Sequence, residues 1–276
     1  MAKLAAVKRA RGNRSMQVEL NGRAAIVTGA SRGIGAAIAG VLAEQGADLF
    51  LVARSRPDLD RVAAGIVQRT GRRAEVLACD LIDAGSPAAA VAAAVAAFGR
   101  LDILVNNAGA TKRGDFFQLT EADWSSGFGL KFLGAVRMTR AAWPHLKTSH
   151  GAMVNIVGIG SRVASAEFTI GGSVNSALIN FTQAMADRGR TDGVRVNAIN
   201  PGHIATDRLE GRIRLAMERL KADRETAIGH ILAEQGIRRF GQPHEIGWLA
   251  AYLVSPLAEF IHGTIVDIDG GETRAM

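Results

Sequence analysis

Three glycines and two arginines are the residues of this 276-residue chain whose types and spacing most plainly support chemistry. The segment Thr28-Gly29-Ala30-Ser31-Arg32-Gly33-Ile34-Gly35 follows an apolar run, Ala24 to Thr28, and opens an alanine-rich stretch from Ile34 to Gln45. In such a strand, turn and helix, Gly29 and Gly33 allow tight turning and close approach of the backbone to a pyrophosphate. Gly35 lets the helix lie close to the sheet. The amides at the start of the helix, around Ser31, Arg32 and Ile34, are donors for phosphate charge. The next apolar run ends Val52-Ala53-Arg54-Ser55, with arginine where a site for NAD(H) needs a carboxylate to hold the ribose 2′-hydroxyl. Two guanidinium groups, Arg32 and Arg54, suit a 2′-phosphate instead, which favours NADP(H) over NAD(H).

Other chemistries have little to work with. Cys79 is the only cysteine, so no internal disulfide forms and a reducing cytoplasm is the expected compartment. The six histidines and the cysteine show no ligand spacing, so no metal is expected. No apolar run approaches the roughly 18 to 20 residues that span a bilayer, and no membrane association is expected. Of the net charge of +7, five units come from Lys3, Lys8, Arg9, Arg11 and Arg14, which leaves about +2 for the body. That remainder fits a protein acting on a small molecule rather than on nucleic acid. Residues 1–17 are expected to be a basic, flexible extension lacking the apolar core of a secretory signal, with Met16 a second candidate start.

The elements that must position these groups alternate along the chain. Strands are expected at Ala24 to Thr28, Asp48 to Ala53, Ala74 to Ala78, Leu101 to Val105, Ala152 to Val157, Val194 to Ile199 and Thr264 to Ile268, with helical stretches between them. Strands apolar throughout must be covered on both faces, which implies a parallel sheet between helical layers. The fold class is therefore α/β, a single-domain Rossmann-type doubly wound sheet of about seven strands over 18–276, with its ligand crevice at the strand C-termini. Residues 204–241 form a long helical insertion after the sixth strand. Its arginines, among them Arg208 and Arg212, alternate with Leu209, Ile213 and Met217. An insertion at that edge is placed to be a lid over a substrate.

Five segments in order resemble the short-chain dehydrogenase/reductase family over about Val18 to Gly271. They are the Thr28 to Gly35 turn, Asp80-Leu81, Asn106-Asn107-Ala108-Gly109, Pro201-Gly202-His203-Ile204-Ala205-Thr206, and Asp267-Ile268-Asp269-Gly270-Gly271. The resemblance implies that Asp80 and Leu81 hold the adenine and that Asn107, Ala108 and Gly109 run beside the ribose. It also implies that Pro201, Gly202, Ile204 and Thr206 meet the nicotinamide side. It further implies a homodimer or homotetramer.

The chain departs from that family at the reaction centre. Family members carry Tyr-x-x-x-Lys at the start of a helix and a serine about thirteen residues earlier. Aligning the apolar stripe Val174, Ala177, Leu178 and Phe181 puts Gly171 at the tyrosine position, Asn175 at the lysine and Gly158 at the serine. No tyrosine precedes Tyr252. The family's asparagine, seven residues after a tryptophan, falls on Lys131, counted from Trp124. Asparagine and lysine are thus exchanged between two facing helices. A buried amine at Lys131 would lose basicity and could serve as proton donor or nucleophile. Asn175 and Ser161 join Lys131 as catalytic candidates. Arg162, Ser165, Glu167 and Thr169 lie in the loop that lines the substrate pocket, and Glu167 and His203 are further acid–base candidates. Three functions follow: an NADP(H)-dependent oxidoreductase acting on a carbonyl/alcohol pair with an atypical proton donor, a non-catalytic NADP(H)-binding sensor or partner subunit, and a non-redox lyase using Lys131.

Overall fold

The computed structural model describes residues 17–273, so residues 1–16 of the basic extension lie outside the described residues. Seven strands, β1 (Ala24–Thr28), β2 (Asp48–Ala53), β3 (Ala74–Ala78), β4 (Ile103–Asn106), β5 (Ala152–Ile156), β6 (Arg195–Pro201) and β7 (Ile265–Ile268), form one parallel sheet. Its order is β3-β2-β1-β4-β5-β6-β7, which reverses direction between β1 and β4. Register fixes that junction, with Val27 level with Val105 and Thr28 level with Val52. A ligand crevice opens where crossovers leave in opposite directions from such a point.

Alternate strand residues feed two cores. Ala25, Val27, Leu49, Leu51, Ile103 and Val105 pack against helices α1 (Gly33–Glu44) and α2 (Arg56–Thr70) and against the last helix, Pro243–Val254. Ile26, Phe50, Val52, Leu104 and Met153 point the other way, against α3 (Ser86–Phe98) and the helical region Glu121 to Ser149. Each fully buried side chain of this size stabilises the fold by about 1.5–3 kcal/mol relative to exposure. Burial on both faces explains the unbroken apolar runs of the central strands β1 and β4, while the edge strands β3 and β7 are only partly covered.

The region around Lys131, expected to be one helix, is three pieces: α4 (Glu121–Gly127), a π-helical stretch Phe128–Leu133, and α5 (Gly134–Ser149). The Gly134 N–H donates to Gly129 O, five residues back, so the coil is locally wider than an α-helix. Facing it is α6 (Thr169–Asp192), reached from β5 through 3-10 turns at Ile159–Ser161 and Ala166–Phe168. Within the insertion, α7 (Asp207–Leu220) and α8 (Arg224–Gln235) precede the last helix, α9. They carry their own small core of Leu209, Ile213, Ala216, Ala227 and Ile231, separate from the two main ones. The insertion is closed at its base by a parallel bridge between Ile204 and Gly241. Among the described residues no helix is long and apolar enough to cross a membrane.

Candidate active site

At the β1 and β4 tips, Thr28 is the hinge of the crevice. Its hydroxyl accepts the Asn107 N–H at 2.9 Å and the Ala108 N–H at 3.0 Å, while Asn107 Nδ2 donates to Thr28 O at 3.0 Å. The glycine turn is pressed onto that hinge. A Cβ on Gly29 (φ +66°) would stand 2.9 Å from Ala108 Cα, and one on Gly35 would stand 2.2 Å from Gly29 O. Arg32 is the N-cap of helix α1, with no side-chain hydrogen bond there and no acid in the first turn. By contrast, α2 is capped by Ser55, which accepts from the Asp58 N–H. An uncapped helix start leaves amide donors and positive dipole for a bound anion. This steric and electrostatic form fits a dinucleotide.

The two predicted arginines flank the cradle. Arg32 lies 3.7 Å from Asp207 at the head of the insertion, and both side chains are more than three-quarters exposed. Arg54 lies 3.9 Å from Asp80, so the strand-end guanidinium and the predicted adenine-side acid are neighbours. Asp80 also accepts the Ile82 N–H at 3.0 Å. Leu81 is buried in the core, which leaves only its backbone to touch a ligand. Thr206 Cγ2 lies 3.4 Å from where a Gly33 Cβ would sit, bringing the start of the insertion to the glycine turn. A Cβ on Gly202 would meet Asp269 at 2.7 Å, so the Pro201-Gly202 step lies directly on the Asp269 turn.

The π-helical stretch carries Lys131 inward. Its Nζ donates to Val157 O at 2.5 Å and to Asn175 Oδ1 at 2.6 Å, and Asn175 Nδ2 donates to Gly158 O at 3.3 Å. The aliphatic stem lies on Gly109, where a Cβ would stand 2.9 Å from Lys131 Cδ. Loss of water, with a smaller contribution from the positive Arg208, lowers the amine from the usual lysine range to about 7. Arg208 itself donates to Gly109 O at 3.1 Å. Lys131, Asn175, Gly158 and Gly109 therefore share one corner of the crevice.

Gly171 leaves no void. A Cβ there would stand 2.0 Å from Phe168 Cζ, because the Phe168 ring fills the space beside it. Gly160 meets the same ring at 2.7 Å, and the Arg113 guanidinium stacks over it at 4.1 Å. Gly158 holds φ +133°, a conformation that disfavours any side chain there. Sequence reasoning missed Phe168 and Arg113. The available signal for Phe168 was a lone aromatic residue in the loop, three positions before Gly171.

Other candidates are engaged elsewhere. The Ser161 hydroxyl turns back to Gly158 O at 3.0 Å, beside the glycine at the family's serine position. His203 is not free for acid–base work. Arg212, which has only donors, occupies Nε2, so Nδ1 carries the proton and donates to Glu272 at 2.7 Å. The His203 and Glu272 side chains are both 7% exposed. Glu167 is exposed in its 3-10 turn, as are Arg162 and Ser165. Arg162 pairs with Asp267 across the crevice mouth at 2.9 Å.

Comparison with known proteins agrees with this architecture. The family model described as enoyl-(acyl carrier protein) reductase matches residues 29–273. An uncharacterised oxidoreductase of Mycobacterium tuberculosis is 37% identical over 257 residues, covering 92% of this chain and 93% of its own length. The chain is a short-chain dehydrogenase/reductase. The structure of L-sorbose reductase from Gluconobacter frateurii, complexed with NADPH and L-sorbose, matches this dehydrogenase/reductase with a TM-score of 0.89. Its identity is 30%, over 95% of this chain and all of that one. A short chain dehydrogenase from Burkholderia cenocepacia in complex with NADP matches with a TM-score of 0.80 and 32% identity, over 92% of this chain and 99% of that one. Family membership makes the chain an oxidoreductase by kinship, and its NADP-bound structural relatives favour NADP(H).

Proposed function

We propose that this short-chain dehydrogenase/reductase transfers hydride between NADP(H) and a carbonyl/alcohol pair, with Lys131 handling the proton that the family's tyrosine ordinarily handles. The observation that carries the reading is the Lys131 amine. It is held by Val157 O and Asn175 Oδ1 at the crevice corner, and burial lowers it to about 7. A group titrating near neutrality can both give and take a proton at working pH. The sorbose reductase kinship supports a carbonyl substrate, and the Arg32 and Arg54 pair supports the 2′-phosphate.

When bound, the dinucleotide supplies hydride chemistry, and the protein's part is orientation, charge and proton supply. Gly29, Ser31, Gly33, Ile34 and Gly35 would cradle the pyrophosphate against the uncapped start of α1. Arg32 and Arg54 would take the 2′-phosphate, Asp80 and Leu81 the adenine, and Asn107, Ala108 and Gly109 the ribose. Pro201, Gly202, Ile204 and Thr206 would border the nicotinamide. Lys131 in its ammonium form donates a proton from Nζ to the developing alkoxide oxygen. As the free amine it accepts one from an alcohol. Val157 O and Asn175 Oδ1 only accept, so they aim the amine without relaying its proton. Replenishment comes from water in the crevice. Phe168 keeps the tyrosine space dry. The α7–α8 insertion, hinged at the Ile204–Gly241 bridge, covers the substrate as a lid.

The test pairs binding with turnover. Purified protein should quench or enhance NADPH fluorescence with higher affinity than NADH. Arg54→Ala should remove about tenfold or more of that preference, the size expected for one charge-assisted contact. NADPH oxidation should appear on a panel of ketones and aldehydes. Tight NADPH binding with no turnover of any carbonyl, in either direction, would sink the redox reading and leave a cofactor-binding sensor.

A further inference from the structure

Most of the short ion pairs among the described residues are made by arginines, yet two guanidinium groups at the crevice have neither a carboxylate within ion-pair distance nor a histidine partner among those residues. These are Arg113 and Arg208. Arg208 donates only to Gly109 O, at 3.1 Å, on the same glycine that supports the Lys131 stem. Arg113 Cζ lies over the Phe168 ring, 4.1 Å from its centroid, and that ring in turn fills the space at Gly171. A stacked guanidinium keeps its planar edge of N–H donors free for a second partner.

The surrounding charges do not neutralise them. Partial desolvation, then Arg212, pulls Arg113 below the usual arginine range, and partial desolvation with Arg32 does the same to Arg208. Arg212 is balanced at a distance, since it donates to His203, which donates to the buried Glu272. Glu167, on the rim beside Arg113, is exposed. Loop 110–114 is tied to it by the backbone bond from Gly114 N–H to Glu167 O at 3.1 Å. Lys131 adds a further positive group beside Arg208. Arg32 and Asp207 belong to the cofactor side.

We infer that Arg113 and Arg208 form a subsite for a carboxylate carried by the substrate, so that the preferred substrate is an oxo acid or hydroxy acid rather than a neutral ketone. The inference rests on the redox reading above, because the subsite lies beside Lys131. Both arginine side chains are exposed to solvent, and their forked donors match the two oxygens of a carboxylate. An anion there also offsets the repulsion between Arg208 and the Lys131 ammonium, so substrate binding would favour the proton-donating form of the amine.

The test uses the full chain with saturating NADPH and a series of oxo acids, from 2-oxo to 5-oxo, each against its methyl ester. At least one acid should be reduced about tenfold or more better than its ester in kcat/KM. Arg113→Met should reduce that preference about 10- to 100-fold while leaving NADPH affinity unchanged. Arg113→Lys should restore part of it, which a misfolded variant would not allow. Glu167→Gln, by removing the nearest competing anion, should lower KM for the acid and leave the ester unaffected. Equal kcat/KM for every acid and ester, or an acid preference untouched by Arg113→Met, would overturn the subsite while leaving redox activity standing. Calorimetry of the same acids with NADP⁺-loaded protein separates the other failure. Arginine-dependent binding of acid over ester without any turnover would keep the subsite and remove the redox reading.

Discussion

The two ends of the crevice use glycine in opposite ways. On the cofactor side, Gly29 and Gly35 are pressed by fixed neighbours, the Ala108 backbone at 2.9 Å and the Gly29 carbonyl at 2.2 Å. On the reaction side, Gly109, Gly160 and Gly171 are met by side chains, the Lys131 stem at 2.9 Å and the Phe168 ring at 2.7 and 2.0 Å. The first set is dictated by backbone geometry that any dinucleotide cradle shares. The second set makes room for two particular side chains. Backbone cannot yield cheaply, whereas a side chain can change rotamer. The cofactor end is therefore rigid by construction, and the reaction end is a place where chemistry can be exchanged residue by residue.

Three substitutions test that contrast, and the largest effect falls on the rigid side. Gly35→Ala forces a methyl group into the Gly29 carbonyl, and overpacking of this kind costs about 1–3 kcal/mol or more. Urea unfolding should show that loss, with NADPH binding weakened in parallel. A Gly35→Ala variant with unchanged stability and unchanged NADPH affinity would erase the contrast.

Gly171→Ala should be milder. Helix propensity favours the change by about 1 kcal/mol, but displacement of the Phe168 ring opposes it, and the expected result is a net loss of about 1 kcal/mol. Adding Phe168→Ala should make the 171 substitution favourable, giving a measurable coupling between the two positions in a double-mutant cycle. Independent effects would mean that Phe168 does not occupy that space.

At Gly211 in α7, an added methyl group would meet nothing within 4 Å. Gly211→Ala should therefore stabilise the insertion by about 0.5–1 kcal/mol. A loss in its place would reveal a neighbour that packs on α7 and tie the lid to the rest of the fold.

Much of the fold was legible because its signals are local. Seven apolar runs gave seven strands within two residues at either end, and the signal is clearest in the central strands, where burial on both faces leaves uninterrupted apolar stretches. The family resemblance implied facing positions for Lys131 and Asn175, and the structure places their polar atoms 2.6 Å apart. The π-helical widening at Phe128–Leu133 was not legible, because it depends on how the segment packs and no proline marks it. Phe168 was missed for a similar reason. Its ring reaches Gly171 through a loop conformation, and loop paths follow from tertiary contact rather than periodicity. His203 had the chemistry of an acid–base group, but long-range burial between Arg212 and Glu272 removed it from that role.

The most direct measurement of the central claim is the pH dependence of single-turnover NADPH oxidation in the wild type and in Lys131→Met. Reduction needs the ammonium, so with the amine lowered to about 7 the wild-type rate should be full below that pH and fall as pH rises through it. Alcohol oxidation, which needs the free amine, should rise over the same range. Lys131→Met should lose that titration and slow hydride transfer by about 10²–10⁴-fold, the usual worth of a positioned general acid. A variant that keeps both the wild-type rate and the wild-type pH profile would contradict the account and return the proton to another group.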